Sequence, residues 1–204
     1  MIFEIGRKDG QLLAPFFEYT EETLVLSYTQ GHMGRGWTDD PERLTCAKIL
    51  TGDFCFLAGD HNAPDAAALV KDIPVDYAIP WILYAPQNEG WNALVEAVWP
   101  EHDKYKRYAI RKDTCFDRER LEGFAGALPE EYRLAPIDKE LYGWALGVGW
   151  ARDFVSQFSS AEDFLARGLG YCVMYGGEPV GGASSFTVYS GGIEIQIEVM
   201  KEHR

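Results

Sequence analysis

No stretch of this 204-residue chain stays apolar for the ~20 residues that a membrane-spanning helix needs. The longest such run, Tyr77 to Ala85, is broken by Pro80. Met1 to Gly10 has no apolar h-region, so a secretory signal is not expected there. Cysteine is scarce. Cys46, Cys55, Cys115 and Cys172 have neither CxxC spacing nor the density of a disulfide scaffold. These absences point to a cytoplasmic protein with free, mostly buried thiols. His32, His61, His102 and His203 are scattered, with no HxxxH or HxxE pair, so no zinc site is expected. Internal repeats and low-complexity tracts are absent as well.

Cations are in short supply, with 19 Lys and Arg against 32 Asp and Glu, a net charge of −13. The acidity is not confined to a tail. The first 128 residues carry 13 cations and 21 acids, the remainder 6 and 11. Nucleic acid and anionic membranes are disfavoured as partners, because both need clustered cations. A cationic small molecule such as an amine is compatible, although net charge speaks first to solubility. What the chain has in quantity is core material: 47% of residues are hydrophobic and 14% aromatic, which excludes a disordered or collagen-like polymer.

The first two-thirds of the chain alternates short strands and helices. Leu24 to Tyr28 is rich in β-formers and reads as a strand. Lys48–Leu50 and Phe54–Leu57 flank Thr51-Gly52-Asp53, a hairpin-type turn. Asp60 or Asn62 is positioned to cap a helix that begins near Pro64 and runs to Val70. Trp81–Tyr84 reads as a strand. Asn88 caps a helix whose Trp91, Leu94, Val95 and Val98 recur at helical spacing, with Pro100 as its stop. Tyr105–Arg111 alternates as a strand, and Asp117 caps a helix that stops near Gly126. The basic stretch Lys104, Lys106, Arg107, Arg111 and Lys112 reads chiefly as a solvated face of that strand, with a phosphate contact as the alternative. Gly31 to Trp37 is glycine-rich, either a plain surface loop or a lid.

Ala127 to Glu131 reads as a boundary, dividing the chain into 1–128 and 129–204. Beyond it come a short strand at Tyr132–Leu134, a helix capped by Asp138 through Leu146, and an interruption at Gly147-Val148-Gly149. Helical segments at Ala151–Phe158 and Ala161–Arg167 follow, the second capped by Ser160 and closed by Gly168. Three strands close the chain: Gly170–Tyr175, Glu178–Tyr189 and Ile193–Val199, joined by Gly176-Gly177 and Ser190-Gly191-Gly192. The expected outcome is a mixed, mainly antiparallel sheet with the Asp138–Arg167 helices on one face. Met1–Leu128 should form a separate α/β layer packed against it, because its aromatics are too many to leave in water.

Tyr171-Cys172-Val173-Met174 with its Gly-Gly turn, then Pro179 to Ser185, then Ile193 to Val199, resemble the N-terminal half of a GNAT-superfamily N-acetyltransferase. The ending Lys201-Glu202-His203-Arg204 is similar to the run that enters that family's acetyl-CoA loop. Gly52 to Asp60 fits the two-domain branch that includes the zwittermicin A resistance protein. The resemblance implies an α/β (α+β) fold with an N-terminal α/β domain at 1–128 and a partial acetyltransferase domain at 129–204. The family's pyrophosphate loop, Arg/Gln-x-x-Gly-x-Gly/Ala at a helix start, is represented only by Arg204. The C-terminal half of the domain is therefore expected to be missing, so that the chain is a piece of something longer or a half-domain that needs completion.

The resemblance implies a cytoplasmic enzyme that moves an acetyl group from acetyl-CoA to an amine of a small molecule, with no metal. Such a reaction needs the amine neutral, hence a general base. Period-two spacing gives Glu194, Gln196 and Glu198 one face of the last strand and Ile193, Ile195, Ile197 and Val199 the other. Glu198 and Glu194 are the candidate bases; alternation alone predicts a solvated polar face. By resemblance, Ile197, Val199, Met200 and Arg204 meet the cofactor, and Trp144 and Trp150 line the acceptor cleft, where aromatics can hold an ammonium or simply pack in the core. Gly147-x-Gly149 is not a nucleotide fingerprint, and Ser184-Ser185 lacks a hydrolase elbow. The rival reading is a non-catalytic binding or regulatory module. This chain by itself is expected to bind acetyl-CoA more weakly than micromolar, since the helix start that holds the pyrophosphate would follow Arg204.

Overall fold

Gly52 sits at φ +61°, the left-handed region that a tight turn between two strands demands, and the hairpin expected around it is present. In the computed structural model, which describes residues 1–108 and 115–204, this hairpin joins β3 (Cys46–Thr51) to β4 (Phe54–Gly59). Every residue of β3 is buried, so the hairpin is the centre of its sheet. The other members are β1 (Phe3–Ile5), β2 (Arg35–Thr38) and β5 (Leu83–Pro86), in spatial order β1-β2-β3-β4-β5. All pairings are antiparallel except β4 with β5, which is parallel and needs a crossover. That crossover carries α2 (Ala66–Lys71). The cap falls at Asp65 rather than at Asp60 or Asn62, with no side-chain bond. The helix α3 (Glu89–Val98) follows β5, and the Asn88 side chain accepts from the Trp91 N–H as a helix cap should.

One cation is built into this first sheet. Lys48 is 2% exposed, with Nζ 4.4 Å from the centre of the Trp37 ring and 3.2 Å from the carbonyl of Leu69. Its other partners are the backbone carbonyl and the carboxylate of Asp72. The ammonium thus sits at the C-terminal end of α2, where the helix dipole favours a positive charge. Burial still drives its pKa below the ordinary lysine value.

The second sheet has order β6 (Tyr132–Pro136), β7 (Gly170–Tyr175), β8 (Glu178–Tyr189) and β9 (Gly192–Val199), all antiparallel. Both glycine turns fall where expected, and β7 and β9 each pair with β8. The helices α5 (Lys139–Gly147) and α6 (Ala161–Arg167) pack on it, capped by Asp138 and Ser160. The stretch Ala151–Phe158 is not a helix. It holds one 3-10 turn, Arg152–Phe154, although the buried Ala151, Phe154, Val155 and Phe158 recur at helical spacing. A bulge lies between Ser185 and Thr187 in β8.

Two other expectations are corrected. Leu24–Tyr28 is a helix, α1 (Thr23–Thr29), with five of seven residues buried. Tyr105–Tyr108 is irregular and exposed, so Lys104, Lys106 and Arg107 do not lie on a strand face; Ala109 to Arg111, and Lys112, lie outside the described residues. Lys104 pairs with Glu96, and Arg107 lies 3.7 Å from Glu22 with its guanidinium over Phe54. The last helix of this part, α4 (Arg118–Gly126), is capped by Asp117 as expected.

Helix α1 touches both sheets. Thr51 Oγ1 donates to the Leu24 carbonyl at 3.3 Å, and Ser27 Oγ donates to the Val188 carbonyl at 2.7 Å. Beyond α1, Met33 packs into the core of the second sheet, while Phe186 of β8 packs into the core of the first. A Cβ at Gly52 would lie 2.4 Å from the Phe186 ring. Each sheet therefore completes its core with side chains from the other.

Candidate functional site

Glu198 lies opposite Gly182, which lies opposite Cys172, in one row across the second sheet. Gly182 matters here because a Cβ at that position would press to 3.1 Å from Phe154. The row therefore faces the helix layer, and Glu198 points toward the connection between α5 and the 3-10 turn. That connection supplies Trp150. Its ring meets Trp144 and Phe154 edge-on, with centroids 5.7 and 5.9 Å away.

A cleft of about 250 Å³ opens at this end of β9, lined by Trp150, Glu198, Val199, Met200, Lys201, Glu202 and Arg204. Five of the eight residues singled out from the sequence meet here: Trp150, Glu198, Val199, Met200 and Arg204. The Glu198 carboxylate accepts from Arg204 Nη2 at 2.8 Å and from the Val199 N–H at 3.1 Å. Arg204 Nε donates to the Val199 carbonyl at 3.0 Å. The Met200 N–H donates to the Val180 carbonyl at 2.8 Å, which continues the ladder past β9. The strand backbone in the cleft is thus engaged with the protein itself.

The other three lie elsewhere. Glu194 accepts a hydrogen bond from the Thr23 hydroxyl of α1, so it docks the first part of the chain onto the second and is not in the cleft. It sits four residues before Glu198 along an extended strand, about 13 Å away at ~3.3 Å per residue. Trp144 packs against the helix core, with Trp150 between it and the cleft. Ile197 is 65% exposed and Ile195 57%, on the face opposite the helices. The expected division of β9 is inverted: its glutamates are half-buried and its central isoleucines are in solvent.

Lys201 and Glu202 line the cleft without having been singled out; the signal was a cation three residues before Arg204, within the run already compared with the cofactor loop. His203 is held away from the cleft. Its Nδ1 lies 2.9 Å from the Tyr132 hydroxyl, and its ring lies 5.0 Å from that of Tyr175.

A second cleft, about 350 Å³, lies where Arg7, Met33, Gly34, Arg35, Gly52, Asp76, Tyr77 and Gln157 come together. The glycine-rich segment on its edge is neither lid nor free loop. Met33 and Trp37 are buried, and Arg35 is clamped by Glu4 and Asp76 at 2.7–2.9 Å. Among the described residues no cluster of His, Cys, Asp or Glu could hold a metal, and no helix is long and apolar enough to cross a membrane. Three thiols are buried and Cys115 is exposed. Burial pushes Cys46 and Cys55 up to about 12 and Cys172 to about 11, so none of these three is a thiolate nucleophile at neutral pH.

A family model described as GNAT acetyltransferase matches residues 14–204. Among solved structures, the chain is similar to a GCN5-related N-acetyltransferase-like protein from Streptococcus suis 89/1591. The TM-score is 0.84 and the identity 32%, over 98% of this chain and 79% of that one. No curated protein matches the chain.

Proposed function

The chain belongs to the GNAT acetyltransferase family, and from that premise we propose that it moves an acetyl group from acetyl-CoA to the primary amine of a small polar molecule, with amine-bearing antibiotics among the acceptors to test. The observation that carries this reading is the convergence of Glu198, Trp150, Val199, Met200 and Arg204 in one cleft. In the reaction the neutral amine attacks the thioester carbonyl, the N–C bond forms, the C–S bond breaks and CoA leaves as the thiol. The ammonium proton must go to a base first. Glu198 is the base of choice, directly or through water. Glu194 is better explained by its bond to Thr23.

Acetyl-CoA carries its phosphates to Lys201 and Arg204, the two cations of the cleft lining among the described residues. An anion that draws Arg204 away also frees the Glu198 carboxylate from its ion pair. Trp150 offers an aromatic face to an acceptor ammonium. The net charge of −13 favours that cationic acceptor and repels the cofactor at long range. Residues 1–128 serve as the extra domain of the zwittermicin A resistance branch, and 129–204 as the acetyltransferase part. A cytoplasmic setting suits the buried, reduced thiols.

The experiment is an assay of amine-dependent CoA release at saturating acetyl-CoA, over a panel of primary amines, with calorimetric titration alongside. Glu198→Gln is expected to lower turnover about 100-fold or more with acetyl-CoA binding retained, and Arg204→Gln to weaken binding. Binding without transfer to any amine would favour the non-catalytic module.

A further inference from the structure

Of the last four residues, Lys201, Glu202 and Arg204 are exposed and His203 is half-buried. The His203 ring rests on two tyrosines. Its Nδ1 shares a hydrogen bond with the Tyr132 hydroxyl at 2.9 Å, and its ring meets that of Tyr132 edge-on at 5.8 Å and that of Tyr175 at 5.0 Å between centroids. The two tyrosines are themselves a cross-strand pair of β6 and β7, with centroids 4.9 Å apart. Cys172 and Met174 of β7 enter the core under the helices, so period-two alternation puts Tyr175 and its partner Tyr132 on the opposite face. The chain therefore straddles the end of the sheet: Glu198 holds Arg204 on the helix side, while His203, one residue earlier, is seated on the outer side.

The backbone of this crossing is held by the Met200 N–H on the Val180 carbonyl and the His203 N–H on the Met200 carbonyl, at 2.8 and 2.9 Å. The single 3-10 turn Lys201–His203 is too short to be stable in water by itself. Its course is set by the side chains that tie it down. Arg204 is one tie, through Glu198 and the Val199 carbonyl. A phosphate that takes Arg204 from Glu198 loosens that tie, and His203 then remains as the side-chain anchor of the turn. We propose that His203 is a positioning residue for acetyl-CoA: docked on Tyr132 and Tyr175, it fixes the turn that presents Lys201 and Arg204 to the cofactor phosphates from the other side of the sheet. This rests on the reading of the cleft as the acetyl-CoA site. His203 does not line the cleft, so its effect falls on cofactor affinity and not on the chemical step.

The test pairs acetyl-CoA titration and kinetics with amide hydrogen exchange across residues 200–204, all on the full chain, with urea midpoints to show that each variant is folded. His203→Ala is expected to raise the acetyl-CoA KM and Kd about tenfold, to leave kcat at saturating acetyl-CoA in place, and to speed exchange across 200–204. Tyr132→Phe keeps the ring and removes the hydroxyl, so it should give a smaller shift of the same kind and add nothing in the His203→Ala background. His203→Asn puts a hydrogen-bonding atom where Nδ1 was and should recover part of the affinity. Unchanged exchange in His203→Ala overturns the proposal, as does a fall in kcat with KM unmoved or full additivity of the two variants. If the unaltered chain binds no acetyl-CoA, the reading of the cleft fails and the proposed role in cofactor binding falls with it; faster exchange in His203→Ala would then still show that His203 holds the turn.

Discussion

Thr187 carries a hydroxyl that does no visible work. It is 0% exposed, it lies opposite Glu194 beside the bulge in β8, and Oγ1 has no hydrogen-bond partner among the described residues. Burying a hydroxyl without a partner costs about 1–3 kcal/mol. Valine has the same branched shape, so Thr187→Val leaves the χ1 preference in place and exchanges the hydroxyl for a methyl. The exchange removes the desolvation penalty and adds about 0.8 kcal/mol of apolar burial. Allowing for imperfect fit at the bulge, a net stabilisation of about 1–2 kcal/mol is expected. For a chain of this size that raises Tm by about 2–8 °C. Thr38→Val is the control: the chemistry is identical, but Thr38 Oγ1 donates to the Cys46 carbonyl at 2.9 Å in an equally buried site. It should destabilise by about 1 kcal/mol. Urea unfolding followed by circular dichroism reads both signs, with an unchanged m-value showing that the unfolded state is not the cause. A loss of 1 kcal/mol or more in Thr187→Val would refute the reasoning and show that an ordered water satisfies the hydroxyl.

Asp39→Asn should cost about 1–2 kcal/mol at neutral pH. Burial pushes the Asp39 carboxyl up, but the hydroxyl and N–H of Thr45 and the N–H of Cys46 outweigh it and hold the pKa at about 2. Because the folded-state pKa is depressed, the stabilisation is full above the ordinary value of 3.8 and fades as pH falls toward 2; acid unfolding curves of the two proteins should converge there. Gly52→Ala should destabilise by about 2–3 kcal/mol, read as a lower urea midpoint, since it combines strain at φ +61° with a clash against Phe186. Cleavage between Leu128 and Glu131 should not release two soluble pieces on gel filtration, because Met33 and Phe186 each complete the other sheet's core.

The second sheet was legible because its signals are local. Glycines at Gly176-Gly177 and Gly191-Gly192 end strands, and the Asp138 and Ser160 caps begin helices, whatever surrounds them. Helix α1 was illegible for the opposite reason. It is buried on more than one side, so Leu24, Val25, Ser27 and Tyr28 are all inside and no amphipathic period survives to mark a helix. The same tertiary cause inverted β9. Alternation shows which residues share a face but not which face meets the protein, and Ile195 and Ile197 proved to be on the outer one. At the candidate site, Glu198 and Arg204 were chosen through the family resemblance and the structure brings them together. Glu194 has the same local pattern as Glu198; only the approach of Thr23, 171 positions earlier in the chain, distinguishes them.

That same long reach across the sequence bears on how the chain is made. Ser27 waits 161 residues for its partner Val188, and Thr23 waits 171 for Glu194. At a synthesis rate of ~5–20 residues per second, α1 and the apolar residues around it spend roughly 8–30 s on the ribosome before β8 exists. During that interval the first sheet lacks Phe186, and Met33 has no core to enter. Nascent chains of intermediate length thus present sticky surface for the time in which most small domains would have finished folding. Slow codons placed just after the first sheet would prolong this exposure rather than help, and the yield of soluble protein should follow the chaperone capacity of the host more closely than it follows the stability of the finished fold.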